Sequence, residues 1–369
     1  MRKLASVVEI ETCKPIEGSD RLSVATMVGK GWHVVTARDE FRPGDLAVYF
    51  EIDSFLPVED ERYAFLRDRC LRKFVTKSGQ VLREGIRIKT CKLRGVVSQG
   101  LLFPLSAYPE LSGSSAVGDD LTEALKVEHY DEVAEALRPV TGGGNPISSD
   151  AYGKFPSDYI PKTDEERIQN LTDYFKTIRK DKTFEVTEKN DGSSVTMFWS
   201  KRIDEENPFG VCSRNLRLKP KTAAGAVPLT WQMAAKYDAE NKIKAKCERI
   251  ECELAFQGEL VGPGVNGNRD KYKEHEWHVF NIYDITNGLY LPPCAVRAIC
   301  KELGFQHVPV IEEECKVFER FGSVDELLKF AEGKTAAGNE REGLVFKSCD
   351  LPHLSFKAVS NRYLMKSED

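Results

Sequence analysis

The chain has 369 residues, which at roughly 150 residues per domain suggests two domains, each long enough to bury its own core. Its 53 Lys and Arg against 58 Asp and Glu leave a net charge of −5, and 30% charged with 41% hydrophobic residues is an ordinary globular composition. This excludes a fibrous chain and a histone-like binder coated in positive charge, although a local basic face remains compatible with nucleic acid.

The opening residues Met1 to Glu9 meet an acid before a signal-peptide core could form, so a cytoplasmic or nuclear, non-secreted protein is expected. No apolar run approaches the ~18 residues that span a bilayer, so no membrane association is expected. The ten cysteines include no Cys-x-x-Cys pair, which fits reduced thiols better than disulfides or a zinc site. Val7–Ile16, Leu22–Val28, Trp32–Ala37 and Leu46–Ile52 are rich in β-formers, and Gly18-Ser19-Asp20, Gly29-Lys30-Gly31 and Arg42-Pro43-Gly44-Asp45 separate them with turn chemistry. Further strands are expected around Gly85–Leu93 and Gly100–Leu105. Short strands at this spacing predict a small barrel of oligonucleotide-binding (OB) type over residues 1–118.

Residues 119–157 differ in composition. Asp119 to Glu135 holds seven acids and one base, and Gly142-Gly143-Gly144 follows, which reads as a helical bridge and flexible linker. From 158 to 369 helices and strands alternate, which makes the whole chain α+β. Thr163–Lys176 is expected to be helical from a capping-box spacing of Thr163 and Glu166. Leu229–Lys246, Ala295–Leu303 and Val324–Glu332 are further expected helices. Expected strands are Phe184–Val186, Ser194–Trp199, Glu251–Leu260, Trp277–Asp284, Gly343–Lys347 and Leu354–Ala358. No internal repeat is visible.

Thr187-Glu188-Lys189-Asn190-Asp191-Gly192-Ser193 places a lysine directly before an Asp-Gly turn. Alone it reads as an exposed hairpin, and Lys-x-Asp-Gly would arise by chance in about a tenth of chains this long. It is followed by Gln257-Gly258-Glu259-Leu260, Val279-Phe280-Asn281-Ile282-Tyr283-Asp284, Arg341-Glu342-Gly343-Leu344-Val345-Phe346-Lys347 and Ser355-Phe356-Lys357-Ala358. In order and spacing this set resembles the covalent nucleotidyltransferase superfamily of ATP-dependent RNA ligases, DNA ligases and capping enzymes. Pro161 to Asn170 and Ser213-Arg214-Asn215 resemble the RNA ligases in particular. Lys14-Pro15-Ile16-Glu17-Gly18-Ser19-Asp20-Arg21 and Glu51 to Pro57 resemble the N-terminal OB module of a bacterial and protist branch.

The resemblance implies an adenylyltransferase domain built on antiparallel sheets with flanking helices. Lys189 would be the adenylated nucleophile, splitting a hard displacement into easier steps. Asp191, Glu259 and Glu342 would gather around Mg²⁺ or Mn²⁺, through bound waters. Arg167, Glu188, Arg214, Phe280, Lys347 and Lys357 would bind ATP, with Phe280 stacked on adenine. Ser355 departs from the family pattern, in which many nick-sealing enzymes carry a lysine two residues before the last one.

Gly262-Pro263-Gly264-Val265-Asn266-Gly267 matches a dinucleotide fingerprint, but no helical pattern follows it, so an ordinary loop is expected. His275 and His278 lack companion ligands and read as surface histidines. Arg69, Arg72, Lys73, Lys77, Arg83, Arg87, Lys89, Lys92 and Arg94 face one acid, Glu84, in a single stretch whose natural function is phosphate binding; the plain alternative is a solvated hairpin. Arg214, Arg217, Lys219 and Lys221, with Lys201 and Arg202, could extend that basic track. The expected protein is a monomeric ATP-dependent RNA ligase that joins 3′-OH and 5′-phosphate ends of RNA or an RNA-containing nicked duplex, with AMP carried on Lys189. The alternatives are a DNA ligase or capping guanylyltransferase, whose OB domain follows the last motif where here only a short segment follows Lys357, and a non-catalytic nucleic-acid-binding protein.

Overall fold

The computed structural model describes residues 3–75, 79–111, 116–130, 150–335 and 337–367. It divides into two units, one formed by Met1–Pro139, Gln169–Asp173 and Leu364–Asp369, the other by Val140–Ile168 and Tyr174–Tyr363.

In the first unit a five-stranded antiparallel sheet runs in the order Leu101–Pro104, Leu46–Phe50, Ala5–Pro15, Leu22–Met27, Val34–Ala37. Alternating burial along these strands puts Val7, Val48 and Phe50 in one core and Val8, Ala47 and Tyr49 in another, so both faces are covered. The hairpin Thr90–Leu93 and Val96–Gln99 nearly closes the barrel: Gln99 N donates to His33 O at 2.8 Å and Val35 N donates to Ser98 Oγ at 2.9 Å. This is the OB-type barrel that the strand spacing predicts. A second sheet, Glu128–His129, Ser54–Leu56, Val81–Arg87 and Leu71–Val75, carries much of the basic stretch.

Of the acidic segment, residues 119–129 form turns and one short strand, and Tyr130 is helical. Leu121, Leu125 and Val127 are buried in the first unit's core, and Thr122 Oγ1 accepts from Leu4 N at 3.0 Å. Residues 131–149, with the glycine run, lie outside the described residues. So does Lys77.

Among the described residues the second unit holds two sheets. Eight strands include the central trio Ser193–Trp199, Leu254–Val261 and Glu276–Asp284, which pair antiparallel. The helices Ala239–Ile250 and Pro293–Leu303 pack Ile243, Cys247, Val296 and Cys300 onto Met197, Phe256 and Ile282. The other sheet is antiparallel in the order Val310–Cys315, Phe184–Lys189, Gly343–Ser348, Ser355–Val359, with Phe346 stacked on Phe356 at 4.8 Å.

Two helix expectations need correction. Leu229–Lys246 is broken into Leu229–Lys236 and Ala239–Ile250 because Asp238 adopts a left-handed backbone, φ 51°. The helix expected over Thr163–Lys176 is absent apart from single turns at Ile168–Asn170 and Tyr174–Thr177. Tertiary pairing wins there: Lys357 N donates to Glu166 O at 2.8 Å, and Arg167 bridges Lys357 as an extended residue.

Candidate active site

The strand Phe184–Lys189 belongs to the four-stranded sheet, and the chain enters the eight-stranded sheet at Ser193. The two strands flanking Asp191-Gly192 therefore do not pair with each other, and the turn is a crossing between sheets rather than the hairpin its composition suggests. Gly192 permits a close approach: a Cβ there would lie 2.3 Å from Leu260 O and 2.8 Å from Glu259 Cγ. Across the smaller sheet Lys189 registers opposite Gly343, which brings Glu342 to it.

Lys189 Nζ donates to Glu342 Oε1 at 2.5 Å. Burial pushes the Lys189 amine down, but the carboxylates of Glu342, Glu259 and Asp191 outweigh it and hold the ammonium above its ordinary range. The Glu259 carboxyl is pushed up to about 8, first by burial, with Lys189 opposing and Glu342 and Asp191 adding to the rise. Burial also raises Glu342, and Lys189 opposes that shift. Three acids thus crowd the Lys189 ammonium.

Two observations bear on a metal. Asp191 Oδ2 and Glu342 Oε2 are buried without a hydrogen-bond partner, although Arg269 Nε stands 3.7 Å from Asp191 Oδ2 in an ion pair. Among the described residues no three His, Cys, Asp or Glu side chains group so as to hold a metal ion. Carboxylates with spare oxygens but no closed cage fit a hydrated divalent cation, which keeps several of its waters.

The cations form two groups. Lys357 Nζ donates to Asp164 Oδ1 at 2.8 Å, Arg214 lies 3.9 Å from Asp164 Oδ2, and the buried Arg167 adjoins Lys357. Lys347 Nζ donates to Asn281 Oδ1 at 2.6 Å and to the Phe280 carbonyl, and stands 5.3 Å from the Phe280 ring centroid. Burial pulls both lysines below their ordinary range, with Asp164 opposing at Lys357 and Glu165 and Glu185 opposing at Lys347. Phe280 is half-buried on Glu276–Asp284. Glu188 precedes Lys189 on its strand; burial raises its carboxyl, and Arg341 opposes that. Ser355 donates its hydroxyl to Glu165.

Several residues in this neighbourhood carry no recognisable signal in the sequence. Asp164 and Glu165 are acids inside a stretch otherwise read for its cation. Asn266, in the Gly-x-Gly-x-x-Gly loop, donates to Gly192 O and, at 3.4 Å, to Asp191 Oδ1. Tyr363 is buried, and its hydroxyl is raised by burial and by Glu342 and Asp191. The surface assignment of the histidines also needs correcting. His278 is 6% exposed and bonded to Asn190 at 2.7 Å, and His275 is half-buried and bonded to Pro263 O. Arg217 leaves the supposed basic track: it is buried and bound to Asp204 and Asn207 O, each at 2.9 Å.

The basic stretch lies in the first unit and is partly neutralised there. Lys73 pairs with Glu84 at 2.9 Å, Arg83 with Glu128, and Arg87 with Asp53 at 3.0 Å while lying over the Tyr130 ring. Arg72 is half-buried, with a guanidinium bond to Leu71 O, and Lys89 is half-buried. Arg69, Lys92 and Arg94 are exposed.

Comparison with known proteins finds relatives of both units. A family described as RNA ligase matches residues 182–361, and an OB-fold domain family matches residues 4–105. A single-residue variant of Naegleria gruberi RNA ligase, solved with ATP and Mn, is 34% identical over 100% of both chains, with a TM-score of 0.82. Another, with AMP and Mn, is 33% identical over 99% of this chain and 100% of that one, TM-score 0.81. The Naegleria gruberi RNA ligase with PPi is 34% identical over 99% and 98% of the two chains, TM-score 0.80. No curated protein sequence matches the chain.

Proposed function

Since the chain belongs to the RNA ligase family and is an ATP-dependent RNA ligase, we propose that it seals 3′-OH and 5′-phosphate ends in nicked RNA-containing duplexes through AMP carried on Lys189. The observation that carries this reading is Lys189 among three carboxylates at the crossing between two sheets, with its Nζ 2.5 Å from Glu342.

An ammonium cannot attack phosphorus, so Lys189 must first lose a proton. Glu342 Oε1 is the acceptor placed to take it. The amine then bonds to the ATP α-phosphorus, and pyrophosphate leaves. Lys347 and Lys357, with Arg167 beside the latter, hold phosphate oxygens; Phe280 offers a ring face to adenine, Glu188 lies by the base edge and Arg214 by the ribose or RNA phosphate. Release of Lys357 from Asp164 frees its charge for this task. A divalent cation, Mg²⁺ or Mn²⁺, held through waters by Asp191, Glu259 and Glu342, would supply the positive charge that offsets these acids and the triphosphate. AMP next passes from Lys189 to the RNA 5′-phosphate, and the 3′-OH displaces it to form the phosphodiester.

The first unit docks the RNA through Arg69, Arg72, Lys89, Lys92 and Arg94, with Lys73, Arg83 and Arg87 contributing once released from their acids; Lys77 belongs to the same run. The protein acts as a monomer in the cytoplasm or nucleus. All ten cysteines are free, and among the described residues no helix is long and apolar enough to cross a membrane.

The test is incubation with α-labelled ATP and Mn²⁺ followed by a denaturing gel and a panel of nicked substrates. Wild type should label, Lys189→Ala should not, and GTP should label poorly. Normal labelling of Lys189→Ala would overturn the assignment, and preferential labelling by GTP would favour a capping reaction.

A further inference from the structure

We propose that His278 is a positioning residue for self-adenylation, acting through Asn190 on the two groups that Asn190 separates, Lys189 and Asp191. The inference rests on the lysyl-AMP reading above.

The crossing from Lys189 to Gly192 lacks the support a hairpin would give it, because its flanking strands pair in different sheets. Something else must hold the peptide that carries both the nucleophile and an acid of the cluster. Asn190 is 7% exposed, and its side chain bonds to His278 Nδ1 at 2.7 Å. The histidine is itself fixed: its Nε2 lies 2.8 Å from Glu276 Oε2, and the Tyr272 ring meets the imidazole edge-on at 5.6 Å. A carboxylate only accepts, so Nε2 carries the hydrogen, and in the neutral ring Nδ1 is left to accept from Asn190 Nδ2. The same strand carries register to the cluster, since His278 opposes Glu259 across the sheet. One histidine thus ties the crossing to the strand pair that holds the third carboxylate.

The chemistry is sensitive to such an anchor. An attacking amine must come within ~3–3.5 Å of phosphorus along the right line, and a misplacement of about 1 Å costs on the order of 100-fold in rate. His278 touches neither ATP nor the reacting atoms in this account, so its loss should lower the rate of adenylation and leave the apparent affinity for ATP largely in place.

The experiment compares His278→Asn, His278→Gln and Asn190→Ala in the full chain, by single-turnover self-adenylation across an ATP titration with Mn²⁺ and by thermal melting. An Asn amide oxygen falls near the Nδ1 position and can still accept from Asn190. A Gln amide falls near the Nε2 position and keeps the Glu276 contact instead. His278→Gln and Asn190→Ala should each slow the saturating rate roughly 10- to 100-fold with KM for ATP within about 3-fold. His278→Asn should recover most of the rate, and the double variant His278→Gln with Asn190→Ala should be no slower than either alone. If Gln, the closer match in volume, outperforms Asn, if the losses track the melting temperature, if KM moves instead of the rate, or if the double variant is additive, the inference is overturned. A wild type that fails to label with ATP and Mn²⁺ overturns the lysyl-AMP reading and this inference together; a labelling wild type with unaffected variants overturns the inference alone.

Discussion

Replacing Gly192 by Ala is expected to silence adenylation while leaving a folded protein. The new methyl carbon would sit 2.3 Å from Leu260 O, about 1 Å inside ordinary contact, and 2.8 Å and 3.0 Å from Glu259 Cγ and Val261 Cγ1. Leu260 O is backbone in a central strand and cannot swing aside, so the crossing itself must move by about an ångström. Overpacking of this kind costs about 1–3 kcal/mol, and at roughly 2–4 °C per kcal/mol for a unit of this size the melting temperature should fall by a few to about ten degrees. The displaced segment carries Lys189 and Asp191, so the adenylation rate should drop on the order of 100-fold, far more than the lost stability can account for. The assay is single-turnover labelling with α-labelled ATP and Mn²⁺ beside a melt, with Gly153→Ala as the control, because a Cβ at Gly153 meets nothing within 4 Å. Wild-type labelling by Gly192→Ala would refute the argument that the nucleophile depends on this close approach.

The Glu259 carboxyl, raised to about 8, holds a proton at neutral pH that the unfolded chain would have released. The native state then binds more protons than the unfolded one between the usual carboxylate range and about 8, so without metal the melting temperature should decline as pH rises through that window. The decline should shrink in Glu259→Gln, and Mn²⁺ affinity measured by calorimetry should increase with pH up to about 8; a flat pH dependence of both would contradict the shift. Phe280→Leu retains apolar bulk but loses the ring, so KM for ATP should rise with little change in melting, and an unchanged KM would return Phe280 to a packing role. Changing Arg69, Lys92 or Arg94 to Ala should each reduce the salt slope of RNA binding by about 0.7–0.9, whereas Lys73→Ala and Arg83→Ala should reduce it less, because Glu84 and Glu128 already neutralise those cations. Equal slopes for the two sets would show that the ion pairs do not persist on binding.

Much of this protein is legible from its sequence because the signals are local. Runs rich in β-formers between short turn segments marked the barrel strands. The helix expected over Val324–Glu332 forms as Val324–Ala331, where the Ser323 hydroxyl accepts from Glu326 N at 3.3 Å. Lys189, Asp191, Glu259 and Glu342 stood out only as a set whose order and spacing resemble the nucleotidyltransferases. Thr163 and Glu166 have the same capping spacing and no helix, because Asp164, Glu165 and Glu166 are claimed by Lys357 and Ser355, roughly 190 residues away. Only the assembled sheets could show that Asp191-Gly192 is a crossing and not a hairpin, since strand partnership is set by side chains distant in the chain. The neutralisation of Arg83 and Arg87 and the seating of Asn190 against His278 likewise depend on contacts between residues far apart in sequence, and the pairing of Lys73 and burial of Arg217 on which neighbours the sheets bring together. A sequence states which charges and hydrogen-bonding groups exist. The fold alone determines which of them meet, because the cost of leaving a buried charge or amide unpaired is settled by its neighbours in space.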